Sequence, residues 1–270
     1  MAVGSYTFSG PIPRPPRHSL LDTARIVTDN DVHWANGGPL YSYSPSLPSV
    51  HDACLSGTFG LKVAGESPAN PSVGAFTVYL NATCTSRGIS EEEFVARAVQ
   101  VFEARESFAV EREFLTADVI TSNASLQGSA TIVGGGAVSP KYGLALLEDE
   151  IGKTAQQGML HAPPSIASLW SEAVYIEGQR LLTTATETPV AVGDGYIDVS
   201  RAGAGATGDN AYAWATGPIE IRRTDAKVVP DNISEALDRE NNVVNFYVER
   251  DYLVSWDAEL SVGVLINRAA

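Results

Sequence analysis

Residues 89–115 read ISEEEFVARAVQVFEARESFAVEREFL, and residues 76–80 ahead of them read FTVYL. Ser90 followed by Glu93 is a capping box, in which the serine hydroxyl takes the free amide at N3 and the glutamate reaches back. Behind it Phe94, Ala98, Val101, Phe102, Phe108 and Ala109 recur at three- and four-residue spacing, an apolar stripe. Glu93 and Arg97 add an i,i+4 pair. The spacing predicts a helix over 90–115, about 38 Å long at 1.5 Å per residue. That length suits a strut better than a helix packed inside a small domain.

Upstream, Thr58–Val63 and Ala75–Thr85 read as two strands around a Gly/Pro/Asn loop at 65–74. The first fifty residues differ from the rest. Residues 10–17, GPIPRPPR, hold four prolines in eight positions, which fixes φ and removes backbone donors. Such a segment has too little to bury to fold alone. Its interspersed Tyr6, Phe8, Trp34, Tyr41 and Tyr43 favour an arm laid on a neighbour over a disordered tail, because disordered tails are poor in aromatics.

Downstream, 117–137 is rich in Ser, Thr, Gly and Ala and ends in Gly134–Gly136. A second helix opens with Ser139 as cap and Pro140 at the first helical position. Leu144, Leu147 and Ile151 mark its buried face and Gly158 its close. Met159–Ala162 reads as a strand, and Pro163-Pro164 introduces a short helix carrying Ile166, Leu169 and Trp170. Short strands follow at Leu181–Thr184 and Val190–Val192, then a flexible loop at 202–210. Ala211–Thr216, Ile219–Arg222, Val243–Arg250, Tyr252–Trp256 and Leu260–Ile266 alternate as strands. The fold class is α+β, with strands at both ends of the chain closing by non-local pairing around an inserted helical region.

Function classes narrow by exclusion. The 270 residues carry 18 Lys+Arg against 32 Asp+Glu, a formal charge of -14, the wrong sign for a protein that grips phosphates. No apolar run reaches the ~20 residues of a membrane span, and Met1–Tyr6 lacks the basic and apolar regions of a secretory signal. The chain is therefore expected to be soluble and intracellular. Cys54 and Cys84 lie in no CxxC or Cys/His spacing; two half-buried thiols are the expected state, with a disulfide the alternative. Residues 203–208, GAGATG, match the letters of the dinucleotide fingerprint, but an aromatic strand follows where a helix N-terminus is required. His18, His33, His51 and His161 are scattered. Glu91–Glu93, Glu111 with Glu113, and Glu148–Glu150 read as solvated helix faces. No catalytic residue, cofactor site or metal site is assigned.

The order of parts resembles the Hong Kong 97-type phage capsid fold, shared with encapsulin nanocompartments. FTVYL at 76–80 running into ISEEEF at 89–94 and the helix behind it is similar to that family's strand entering its spine helix. Residues 178–192, GQRLLTTATETPVAV, are similar to the short strands of its axial domain. Residues 212–221, YAWATGPIEI, and then Val243–Val254 are similar to its closing strands. Residues 230–244, PDNISEALDRENNVV, most resemble capsid proteins of actinobacterial phages.

The resemblance implies an N-terminal arm over 1–50 and an extended loop over 51–75. It implies a peripheral domain from 76–137 and 211–270, with the spine helix at 90–115, and an axial domain over 138–210. It further implies a major capsid protein of a tailed bacteriophage, not an enzyme, forming hexamers and pentamers of an icosahedral head around double-stranded DNA. Its partners would be copies of itself, with scaffold, portal and decoration proteins, and packaged DNA touched non-specifically at most. Its place would be the virion, assembled in the host bacterial cytoplasm. Arg14 and Arg17 on the arm and Phe59, Leu61 and Lys62 on the loop are the expected subunit-interface residues. Lys62 is the sole lysine of the loop, but no crosslinking partner is identifiable. Two alternatives stand beside this reading. An encapsulin shell is disfavoured because residues 10–16 replace the amphipathic helix expected there. A small-molecule enzyme or binding protein leaves the arm and loop without a purpose.

Overall fold

The computed structural model of the chain describes residue 11 and residues 13–32, 38–39, 72–85, 90–170, 174–177, 181–196, 208–231, 235, 237–238, 240, 243–257 and 259–270. Leu20–Thr23 forms one helical turn, α1, and Arg25–Thr28 the strand β1. Gly38–Pro39 (β2) and Ser72–Val73 (β3) pair as a short antiparallel ladder. Phe76–Thr85 is β4 and Glu91–Thr116 is α2. Ser90 caps α2 by accepting the Glu93 amide at 3.2 Å. Then come α3 (Leu126–Ser129), β5 (Thr131–Val138), α4 (Pro140–Thr154), β6 (Met159–Ala162) and α5 (Pro164–Ala167). The strands β7 (Val174–Glu177), β8 (Leu181–Thr184), β9 (Val190–Val192), β10 (Asn210–Thr216) and β11 (Ile219–Arg223) follow. β12 (Lys227–Val229), β13 (Leu237–Asp238), β14 (Val243–Trp256) and β15 (Ser261–Asn267) complete the chain.

The strands form two main sheets. In the first, the 14-residue β14 carries β4 antiparallel along one side, with β11, β12 and β13 along the other, and β1 joins parallel at the β11 edge. α2 lies across one face. Ala98, Phe102, Val110, Phe114 and Leu115 bury against Phe76, Val78, Phe246, Val248 and Tyr252, and Phe94 meets Phe246 edge-on at 5.2 Å. At about 39 Å for the 26 helical residues and about 46 Å for the 14 of the strand, helix and strand match in length.

The second sheet runs β5-β15-β10-β6-β9. Its strands alternate between two interiors. Ala213, Ala215, Leu160, Ala162, Val262, Val264 and Ile266 face Leu144, Leu147 and Ile151 of α4. Tyr212, Trp214, Met159, Ala191 and Leu265 face the first core. Trp214 stands opposite Gly263, where a Cβ would come within 2.5 Å of the indole. The Trp170 indole donates to the Pro140 carbonyl at 2.9 Å, tying the turn after α5 to the start of α4.

Several expectations need correction. Residues 1–50 are not uniformly an arm: Leu20 and Val32 are buried in the first core, and β1 extends the first sheet. The apolar residues Leu20, Ile26 and Val27 supply the anchor that the neighbouring prolines obscured. Residues 211–270 do not all belong with 76–137, because β10 and β15 join β6 and β9 of the inserted region; alternation marks a strand but not its partner. Gly134–Gly136 lies within β5, paired parallel to β15 with a register shift. α4 ends at Thr154 with Ala155 in the left-handed region, ahead of Gly158. Phe108 and Leu169 are exposed. α3 falls where irregular chain is expected. The strand expected at Thr58–Val63 and most of the 51–75 loop and the 202–210 loop lie outside the described residues; Asn210–Thr216, which follows, is the strand β10.

Replacing Gly263 by Val is expected to lower the urea midpoint by an equivalent of about 1–3 kcal/mol, through overpacking against Trp214. Gly136→Ala, at a position with nothing within 4 Å, should change it by less than about 0.5 kcal/mol. Equal effects at the two sites would refute the close-approach role of Gly263.

Candidate functional site

The inner face of α2 carries three buried carboxylates among its apolar side chains. Glu106, Glu111 and Glu113 are 6%, 1% and 7% exposed, so the reading of 111 and 113 as a solvated face is wrong. Each carboxylate has found partners, as a buried charge must.

Glu106 joins α2 to the first sheet. Arg250 Nη1 lies 2.7 Å from both its oxygens, the Tyr252 hydroxyl donates to it at 2.6 Å, and Arg223 Nη1 stands at 3.5 Å. The Arg250 guanidinium also sits over the Phe102 ring, 5.8 Å from its centre. Burial pushes the Glu106 pKa up, against the opposing pull of Tyr252 and the two arginines. Burial and the neighbouring carboxylate push the Tyr252 phenol up as well.

Glu113 closes the helix end. Its two oxygens accept the Val119 and Ile120 amides, each at 2.9 Å, just past Ala117 in the left-handed region. Glu111 takes the Leu20 amide at 3.0 Å and the Gly195 amide at 3.3 Å. It thereby joins α2 to the N-terminal segment and to the 3-10 turn Asp194–Tyr196.

Beyond that turn, a chain of polar groups enters the second sheet. The Thr216 hydroxyl donates to the Gly217 carbonyl at 3.0 Å, so it accepts from His161 Nε2 at 2.9 Å. His161 Nδ1 then accepts the Tyr196 hydroxyl at 3.1 Å. Burial lowers the His161 pKa to about 3, so the ring stays neutral as the Nε2–H tautomer. Glu111, His161, Tyr196 and Thr216 are each at most 1% exposed. They tie the interior together. Among the described residues no cluster of three His, Cys, Asp or Glu is arranged to hold a metal, and no helix is long and apolar enough to cross a membrane.

The outward face of the first sheet is the contrasting surface. Tyr79 on β4 and Tyr247 on β14 are 66% and 45% exposed and meet edge-on at 6.1 Å, with Val229 on β12 opposite Tyr247. Strict alternation in FTVYL, with Phe76 and Val78 inward and Thr77 and Tyr79 outward, was the signal for this face. Of the expected interface residues, Arg14 and Arg17 are exposed in the chain. Phe59, Leu61 and Lys62 lie outside the described residues.

No family model and no curated relative matches the sequence. Solved structures do. The capsid of a native GTA particle superposes with a TM-score of 0.59 at 13% identity, covering 98% of this chain and 94% of that one. Mycobacterium phage Ogopogo gives 0.58 at 11% identity, covering 98% and 96%. The holo encapsulin complex of Synechococcus elongatus gives 0.58 at 8% identity, covering 97% and 92%. The likeness spans nearly the whole chain in each case and establishes the fold, which is the α+β Hong Kong 97 type.

Removing Glu106 as Glu106→Ala is expected to cost about 3–5 kcal/mol, because Arg250 is left buried without its main partner. Pairing Glu106→Leu with Arg250→Met should recover most of that loss in a urea melt. A double variant as unstable as the single one would show that packing, not the unpaired charge, sets the cost.

Proposed function

We propose that this chain is a shell subunit, the major capsid protein of a tailed bacteriophage, which assembles into hexamers and pentamers of an icosahedral head around double-stranded DNA. The observation that carries the reading is the superposition, over nearly the whole chain, on the capsid of a GTA particle, an encapsulin complex and a phage structure. Within it, α2 with the first sheet serves as the peripheral domain, and α4 with the second sheet as the axial domain. Residues 1–17 are the arm and residues 51–75 the extended loop.

The burial of Glu106, Glu111, Glu113 and His161 supports a structural over an enzymatic role. Residues 10–17, with four prolines, favour a phage capsid over an encapsulin, whose counterpart segment is an amphipathic helix. The net charge of -14 suits a shell lining that repels packaged DNA rather than binding it. Arg14, Arg17, Phe59, Leu61 and Lys62 are the proposed contacts between copies. Scaffold, portal and decoration proteins are the further partners, and the virion, built in the host bacterial cytoplasm, is the location.

Electron microscopy of the purified chain, with size-exclusion chromatography, tests this reading. Closed shells of uniform size are expected. A chain that stays monomeric with scaffold partners and crowding agents present would overturn it. Nucleic acid inside native particles, rather than an enzyme cargo, separates the capsid from the nanocompartment.

Because Leu20 and β1 belong to the core, the arm has a defined inner limit. Deleting residues 1–16 is expected to leave the melting temperature within a few degrees of the intact chain while particle yield falls several-fold. Deleting residues 1–35 should unfold the subunit, since it removes Leu20, Val32 and an entire strand. Full particle yield from the shorter deletion would remove the arm from the assembly contacts.

A further inference from the structure

Residues 13–17 read PRPPR, and Pro13 with Pro16 has the spacing of the PxxP segments that dock on aromatic surfaces. Three prolines in four positions hold the backbone near polyproline II, a helix of three residues per turn. That period stacks Pro13 and Pro16 along one edge, about 9 Å apart, and Arg14 with Arg17 along the next. All five residues are exposed and lie in no helix or strand. Among the described residues neither arginine has an ion-pair partner. A segment already held extended gives up little freedom when it docks.

The outward face of the first sheet carries the complementary groups. Tyr79 and Tyr247, 66% and 45% exposed, meet edge-on at 6.1 Å. Glu249 stands opposite Tyr79 in the β4–β14 ladder and two residues beyond Tyr247, so it lies on the same face. Its carboxylate has no hydrogen-bond or ion-pair partner among the described residues; Lys227 is opposite it on β12 but outside ion-pair distance. The two phenol hydroxyls are likewise engaged by no described residue. They can donate to the carbonyls that a polyproline II backbone leaves open.

Within one chain these two parts lie on opposite sides of the first sheet. The Leu20 amide is held by Glu111 of α2, and the His18 carbonyl accepts the Val192 amide. Residues 13–17 therefore leave from the α2 side, while Tyr79 and Tyr247 face the other way. We infer that residues 13–17 of one copy dock on the Tyr79–Tyr247 face of a second copy, with the proline edge on the rings and the arginine edge toward Glu249. Proline rings pack on aromatic faces, and a guanidinium can pair with the carboxylate while lying against a tyrosine. The inference rests on the shell reading and deepens it, by naming the surface that the N-terminal segment grips.

Photocrosslinking of the full chain tests the docking. Tyr79→p-azidophenylalanine keeps the size of the ring and puts a reactive group on the face. Isotope-labelled and ordinary chains are mixed before assembly, irradiated, digested and read by mass spectrometry, and the same sample is viewed by electron microscopy. Crosslinks from position 79 should fall on residues 13–17 and join labelled chains to ordinary ones as often as like to like. Arg14→Glu with Arg17→Glu should cut these crosslinks about fivefold or more, and adding Glu249→Arg should restore most of them. Closed shells whose crosslinks fall elsewhere, or only within one chain, would overturn the docking and leave the shell reading standing. Crosslinks indifferent to the charge reversal would do the same. A chain that stays monomeric overturns both.

Discussion

A buried carboxylate on a helix is an expense unless the opposing surface meets it, and Glu106 is met by Arg250, Tyr252 and Arg223. That contact fixes how α2 lies on β14. The apolar pairs around it, Phe94 with Phe246 and Phe114 with Trp256, supply most of the burial free energy but tolerate sliding. The Arg250 guanidinium, whose Nη1 lies between both Glu106 oxygens, does not, because a one-residue shift of the strand would turn Arg250 to the opposite face. The long helix and the long strand are thereby held in one register, and the other strands of the first sheet take their places from β14.

The second sheet depends on this frame through its two-sided burial. Trp214, Tyr212 and Leu265 belong to the first core, while the residues alternating with them pack under α4. A sheet with one wet face would need only α4. This one is the middle layer between two interiors, so its strands read as near-continuous apolar runs, and Gly263 is required where the Trp214 ring crosses. Glu111 and the Tyr196–His161–Thr216 chain run through the same boundary. Polar groups there are satisfied one by one, which favours a unique arrangement over a merely compact one.

The local signals in the sequence were strong where one residue sufficed to read them. Ser90 and Glu93 marked the start of α2, Pro140 the start of α4, and the alternation of Phe76 to Leu80 the strand β4. The parts that could not be read depend on distant partners. Glu111 and Glu113 look the same in sequence as Glu91 to Glu93, and only their contacts with Leu20, Gly195, Val119 and Ile120 separate a buried tie from a solvated face. Arg250 reads as an ordinary strand charge until Glu106, 144 residues away, is placed beside it. The allocation of β10 and β15 was hidden for a related reason: Ala211–Thr216 and Ile219–Arg223 are adjacent in sequence, yet the chain crosses from one sheet to the other at Gly217-Pro218.

The parallel seat of β1 beside β11 also sets a mechanical boundary condition. Load applied to the chain at Leu20 is shared between α2, through the Glu111 carboxylate, and the first sheet, through the β1–β11 ladder, so neither contact carries it alone.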